Sequence, residues 1–141
     1  MVTKSFSAEL DNLAVIRLYI EETAQAYQAQ NKAVGDLIQA VDEAVTNIIV
    51  HGYLGKPGQI ELEVERENEF LVVRIRDQAP YFDPTVVPPP DLSLPLQKRP
   101  LGGLGVHLMR VFVDEMCYSA LSQGGNELIL AKRAFLSGEK K

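Results

Sequence analysis

Glu43, Asn47 and His51 recur at four-residue intervals within Asp36-Leu37-Ile38-Gln39-Ala40-Val41-Asp42-Glu43-Ala44-Val45-Thr46-Asn47-Ile48-Ile49-Val50-His51. At about 100° per residue, that spacing lays an acid, an amide and an imidazole along one ridge of a helix. Leu37, Val41, Val45 and Ile48 fall in the opposite sector, bordered by Ile38 and Ile49, so the ridge stands away from the core. Ala40 and Ala44 beside it predict a low surface able to admit a ligand. A carboxylate can take a proton and an amide oxygen can hold a hard cation, which is chemistry that a merely solvated face does not need. Asp42 points elsewhere and is not interchangeable with Glu43.

Two later segments add to this ridge. Phe70 to Asp77 reads as a strand, and it ends in Asp77-Gln78-Ala79-Pro80-Tyr81-Phe82-Asp83-Pro84. Asp77 continues the inward series Leu71, Val73, Ile75, which aims a carboxylate at the side where helices should lie. Burying it requires hydrogen-bond donors, supplied either by a local turn or by a ligand. Gly102-Gly103-Leu104-Gly105 then opens another apolar helical stretch. Glycines there let backbone N–H groups approach anionic oxygens, with the helix dipole adding to the attraction.

Acid and amide on a helix, Asp at a strand end and glycines at a helix start resemble, in that order, the three nucleotide-binding boxes of the GHKL (histidine kinase-like) ATPase and kinase superfamily. Within it, the chain is most similar to the small anti-sigma-factor serine/threonine kinases of bacterial stress and sporulation switches. The resemblance implies ATP and Mg²⁺ as cofactors, with Glu43 as general base and Asn47 as the magnesium ligand. It implies that Asp77 accepts from the amino group of adenine, and that Gly102, Gly103 and Gly105 meet the phosphates. Ala79 stands where the superfamily usually has Gly beside the base, and it fits only with a negative φ. Residues 84 to 101 match the mobile ATP lid in position. Pro84, Pro88, Pro89, Pro90, Pro95 and Pro100 exclude a regular helix or central strand from this stretch. Near its end Arg99 offers a fork suited to phosphate oxygens, with Lys98 as the alternative.

The implied partners are an anti-sigma-factor antagonist as phosphorylation substrate and a sigma factor; a homodimer is compatible with either. A non-catalytic ATP-binding module that sequesters a sigma factor is the second reading. A histidine kinase module split from its phosphoacceptor helices is the third. Glu43 and the lack of room for a His-bearing helical hairpin weigh against it.

The elements that must position these residues are legible as alternations and stripes. Ser5 to Leu10 predicts an edge strand, followed by a helix with Asp11 or Asn12 as cap and Leu13, Ile16, Ile20, Ala24 and Tyr27 on one face. The ridge helix is expected after Asn31 to Gly35. Ile60, Leu62 and Val64 alternate with glutamates, and a turn at Glu67-Asn68 would pair Val64 with Leu71, Leu62 with Val73, Ile60 with Ile75 and Glu61 with Arg74. Two more strands, Glu115 to Ala120 and Asn126 to Lys132, flank Gly124-Gly125. The expected fold is an α/β (α+β) two-layer sandwich of the Bergerat type, with a mixed, mainly antiparallel sheet and helices on one face.

Composition narrows the setting. A chain of 141 residues, 46% hydrophobic and 23% charged, is expected to form one domain with a tail at residues 137–141. A net charge of −5 without a basic stripe argues against a nucleic-acid surface. The N-terminal residues lack the apolar core of a signal peptide and no run reaches a membrane span, so a cytoplasmic location is expected. Cys117 is the only cysteine, which excludes an internal disulfide, and is expected to be buried in a strand. His51 is expected to make a helix-end contact and His107 to pack or face solvent.

Overall fold

The computed structural model describes residues 3–86, Ser93 and residues 103–136. Its order is β1 (Thr3–Ser7), α1 (Leu13–Ala26), α2 (Asn31–Asn47), β2 (Gln59–Glu67), β3 (Phe70–Asp77), α3 (Gly103–Phe112), β4 (Glu115–Ala120) and β5 (Asn126–Arg133). The sheet runs β1-β2-β3-β5-β4, and every pairing is antiparallel, which narrows the expectation of a mainly antiparallel sheet. After β3 the chain passes through α3 to the edge strand β4 and returns as β5 beside β3. That return sets the start of β5, Asn126, against the end of β3, Asp77.

One face of the sheet is apolar. Ile60, Leu62, Leu71, Val73, Ile75 and Leu130 are fully buried against Ile16 and Ile20 of α1 and Leu37, Val41 and Val45 of α2. Fully burying each such side chain contributes about 1.5–3 kcal/mol. The opposite face is polar, where Arg76 bridges Glu63 and Glu127, both at 2.7 Å, and Arg74 bridges Glu65 and Glu67. The alternation of Ile60 to Val64 with glutamates therefore sorted the two faces correctly.

Several expectations are corrected. The hairpin turn is Asn68-Glu69, with Glu67 opposite Phe70, so Val64 pairs with Val73, Leu62 with Ile75, Ile60 with Asp77 and Glu61 with Arg76. Asn68 takes a φ of 57°, a left-handed conformation that Asn tolerates better than Glu. The register error is two residues, and because the side-chain period is also two, no residue changed face. The first strand is Thr3–Ser7 rather than Ser5 to Leu10, and Leu10–Asn12 form a 3-10 turn running straight into α1. Asn12 makes no capping bond there, because its Nδ2 donates to the Ser7 carbonyl at 2.8 Å. Residues Asn31 to Gly35 are the first part of α2, not a connection before it. Cys117 is exposed: its neighbours Met116 and Tyr118 are the half-buried positions of β4, which turns Cys117 outward on an edge strand.

Candidate functional site

α2 does not end as a plain helix. Ile48–Gly52 continue it as a π-helical turn, a distortion that often marks functional sites. The turn brings Ile48, His51 and Gly52 to the rim of a cavity of about 320 Å³, which Ala44 and Asn47 line from the last turns of α2. Asp77, Ala79 and the loop to Pro84 close another side, Tyr118, Asn126 and Leu128 of the returning strands a third, and Met109 of α3 a fourth. Its lining is largely apolar with a few convergent polar groups, as ligand cavities commonly are.

The structure brings Asn47, Asp77 and Ala79 together around this cavity. Asp77 is 5% exposed and has no cationic partner among the described residues; burial pushes its carboxyl above the usual range, against hydrogen bonds from Asn126 and Ala79. Both bonds, from the Asn126 Nδ2 and the Ala79 N–H, land on Oδ1 at 2.9 Å. The Asn47 Nδ2 is buried without a hydrogen-bond partner among the described residues. A buried polar atom in that state costs about 1–3 kcal/mol unless something else meets it.

Ala79 is buried and its φ is not in the left-handed region, as its Cβ requires. Its Cβ is accommodated by Gly52, where an added Cβ would stand 2.9 Å from the Ala79 Cβ. Beyond it the chain is tied down at each step. Gln78 N–H donates to the Tyr53 hydroxyl at 2.8 Å, Phe82 N–H to the Asn126 Oδ1 at 3.0 Å, and the Tyr81 hydroxyl to the Leu121 carbonyl at 2.8 Å. Pro84–Val86 form a 3-10 turn whose Pro84 and Thr85 carbonyls accept from Arg110 of α3 at 3.0 and 2.5 Å.

Glu43 lies one turn before Asn47, half-buried and outside the cavity lining. Burial, then the neighbouring Asp42, raises its carboxyl above the ordinary value. Asp42 instead pairs with Arg17 of α1 at 2.6 Å, so the two acids do serve different surroundings. Ala40 and Ala44 are both buried, not a low open surface, and only Ala44 borders the cavity. Gly103 and Gly105 lie in the first turn of α3. Gly102, Lys98, Arg99 and most of the expected lid fall outside the described residues.

Sequence reasoning missed Asn126 and Tyr118. Asn126 stands opposite Asp77 in the β3–β5 register, and the Tyr118 hydroxyl donates to its Oδ1 at 2.6 Å. A signal existed: Gly124 and Gly125 adopt φ of 99° and 97°, and a Cβ on Gly125 would lie 2.1 Å from the Asp77 carbonyl oxygen. That glycine exists to let the strand turn close on Asp77.

Residues 6–132 match the family model described as the histidine kinase-like ATPase domain. The chain belongs to that family. Among curated relatives, it is 28% identical over 113 residues to the serine-protein kinase RsbW of Bacillus cereus (strain Q1), covering 77% of this chain and 71% of that protein. The same identity and coverage hold for the serine-protein kinase RsbW of Bacillus anthracis (strain CDC 684 / NRRL 3495). Among solved structures, the RsbU and RsbW domains of Rv1364c from Mycobacterium tuberculosis superpose over 97% of this chain with a TM-score of 0.61 at 15% identity. This chain spans only 35% of that one, and the likeness shows the α+β fold of the family. Among the described residues no helix is long and apolar enough to cross a membrane.

An ATP–magnesium complex is the group this family implies, and the donor set fits it. Asp77 offers an acceptor at the cavity wall, and Asn47 offers an unpartnered Nδ2 donor for a phosphate oxygen and an amide oxygen of the kind Mg²⁺ takes. A bound magnesium ion would supply charge neutralisation at the phosphates.

Proposed function

We propose that this protein binds Mg-ATP in the cavity between α2, the end of β3 and α3, and transfers phosphate to a serine or threonine of an anti-sigma-factor antagonist. The observation that carries the reading is the convergence of two polar groups on one cavity. Among the described residues, Asp77 is buried without a cationic partner and the Asn47 Nδ2 is buried without an acceptor. A bound adenine nucleotide would meet both, giving Asp77 a donor from the base and the Asn47 Nδ2 an acceptor from a phosphate oxygen. Asp77 would accept from the adenine amino group beside Ala79, and Asn47 would hold Mg²⁺ through its Oδ1, not through the unpartnered Nδ2. Gly102, Gly103 and Gly105, with Arg99 or Lys98, would meet the phosphates. The serine-protein kinase names of the relatives support the reaction class.

Glu43 is the proposed general base. Its raised carboxyl makes it a better proton acceptor for an incoming hydroxyl than an ordinary glutamate. Its place outside the cavity lining suits a group that meets the second substrate at the mouth rather than the nucleotide. The same placement favours a second reading, in which the chain binds ATP and silences a sigma factor without catalysis. Incubation with radiolabelled ATP and an anti-sigma-factor antagonist, taken from the neighbouring gene if the chromosome encodes one there, separates the two. Label on the antagonist supports the kinase, whereas sigma-factor binding without any transfer establishes the binding module.

A further inference from the structure

Asn126 is buried, yet its amide serves five partners. The Oδ1 accepts from the Phe82 N–H at 3.0 Å and the Tyr118 hydroxyl at 2.6 Å. The Nδ2 donates to Asp77 Oδ1 at 2.9 Å, the Pro80 carbonyl at 3.1 Å and the Ala79 carbonyl at 3.3 Å. Turning the amide over would set its NH₂ against a backbone N–H and its oxygen against two carbonyls and a carboxylate. Backbone groups cannot exchange donor for acceptor, so the orientation is fixed. The Tyr118 hydroxyl is a donor at neutral pH as any phenol is, and burial raises its pKa further.

A consequence follows for Asp77. Its Oδ1 is occupied by Asn126 and by the Ala79 N–H, which leaves Oδ2 for the cavity. We propose that Asn126 is a positioning residue, locked by Phe82 and Tyr118, that holds Asp77 with Oδ2 presented as an acceptor and thereby selects a purine bearing an amino group over one bearing a carbonyl. The selection of the base rests on the nucleotide-binding reading above; the positioning of Asp77 does not. Without Asn126, burial would favour a neutral carboxyl, whose O–H can donate to a carbonyl such as that of guanine. Among the described residues, the other titratable groups around the cavity are His51 on the π turn, Tyr81 and Asp83 in the loop, and Tyr118 on β4. The β2 partner of Asp77 is Ile60, which cannot ionise.

The test has one arm without nucleotide. Carbon-detected NMR titration of the Asp77 carboxyl is compared in the parent, Asn126→Ala and Tyr118→Phe. Removing hydrogen bonds to the ionised form should raise the midpoint, by about one pH unit in Asn126→Ala. Tyr118→Phe, which removes only the hydroxyl that orients the amide, should move it less and in the same direction, and it decides the matter if Asn126→Ala does not fold. In the second arm, the ratio of GTP to ATP dissociation constants should fall about tenfold in Asn126→Ala, with Tyr118→Phe between it and the parent. An unmoved midpoint in the folded variants overturns the positioning role. Equal loss of ATP and GTP affinity, with the ratio preserved, overturns the selective one. A parent that binds neither nucleotide sinks the ATP reading, while the titration still decides what Asn126 does to Asp77.

Discussion

Asp77 and Asn126 face each other as register partners on β3 and β5, joined by a 2.9 Å hydrogen bond from the amide to the carboxylate. They are two of the three polar or charged residues buried among the described residues, the third being Glu63 on the other face of the sheet. The apolar face of the sheet thus ends in a polar pair where the cavity begins.

Asp77→Asn should weaken adenine nucleotide binding by roughly 10- to 100-fold, the scale of one hydrogen bond to a charged group, and erase preference over guanine. Isothermal calorimetry with ATP, ADP and GDP reads both effects. The pH dependence has a defined sign. The folded pKa is raised, so the contribution of Asp77 to the stability of the free protein is present below its unfolded pKa and is lost as pH rises through the folded value. Nucleotide affinity should run the other way, falling as pH drops through the folded pKa, and Asp77→Asn should flatten both slopes.

Glu43→Gln should keep the fold and most of the ATP affinity while phosphate transfer falls by about 10²- to 10⁴-fold. Asn47→Ala should instead abolish the magnesium dependence of binding. Asp42→Asn should leave both alone and cost at most about 1 kcal/mol through its half-exposed Arg17 pair. Single-turnover transfer assays beside metal-dependent binding isotherms distinguish the three. Undiminished transfer by Glu43→Gln would reduce that residue to a helix-face acid.

Gly52→Ala should destabilise the protein by about 1–3 kcal/mol, since its new Cβ would crowd the Ala79 Cβ at 2.9 Å. Ala79→Gly should remove most of that cost. Urea denaturation of the two single variants and the double variant gives the coupling directly. Additive energies would show that the two positions do not share space.

Glu63→Gln should cost about 1–3 kcal/mol at neutral pH, by loosening the bond from Arg76 and the 2.9 Å bond from Thr3. The Arg76 hydrogen bond holds the Glu63 carboxyl below its ordinary value, with Thr3 adding to it. Its stabilisation is therefore present above the unfolded pKa and lost as pH falls through the folded one. Thermal melts across the acidic range should show a shallower loss in Glu63→Gln than in the parent, and parallel curves would count against the network.

Much of this was legible locally. The two-residue alternation of Ile60 to Val64 and Leu71 to Ile75 named the buried face of the sheet, and the helical period of Leu37, Val41 and Val45 named the face of α2 that meets it. Those assignments survive because a side chain's direction depends on the backbone period at its own position, not on its partners. The hairpin shows the limit: parity was right while pairing was off by two, since the left-handed turn residue Asn68, not the hydrophobic pattern, sets the register.

By itself the sequence determined which residues could do chemistry and in what order they come: Glu43, Asn47, Asp77, Ala79 and the glycines, on a helix, a strand end and a helix start. Only the tertiary structure decided what surrounds them. The return of β5 beside β3 put Asn126 on Asp77, and the packing of the core buried Ala40 and Ala44. The π turn brought His51 to the cavity and let Gly52 make room for Ala79. These are contacts between segments far apart in the chain, chosen by burial and backbone pairing over the whole sheet, and no local period encodes them.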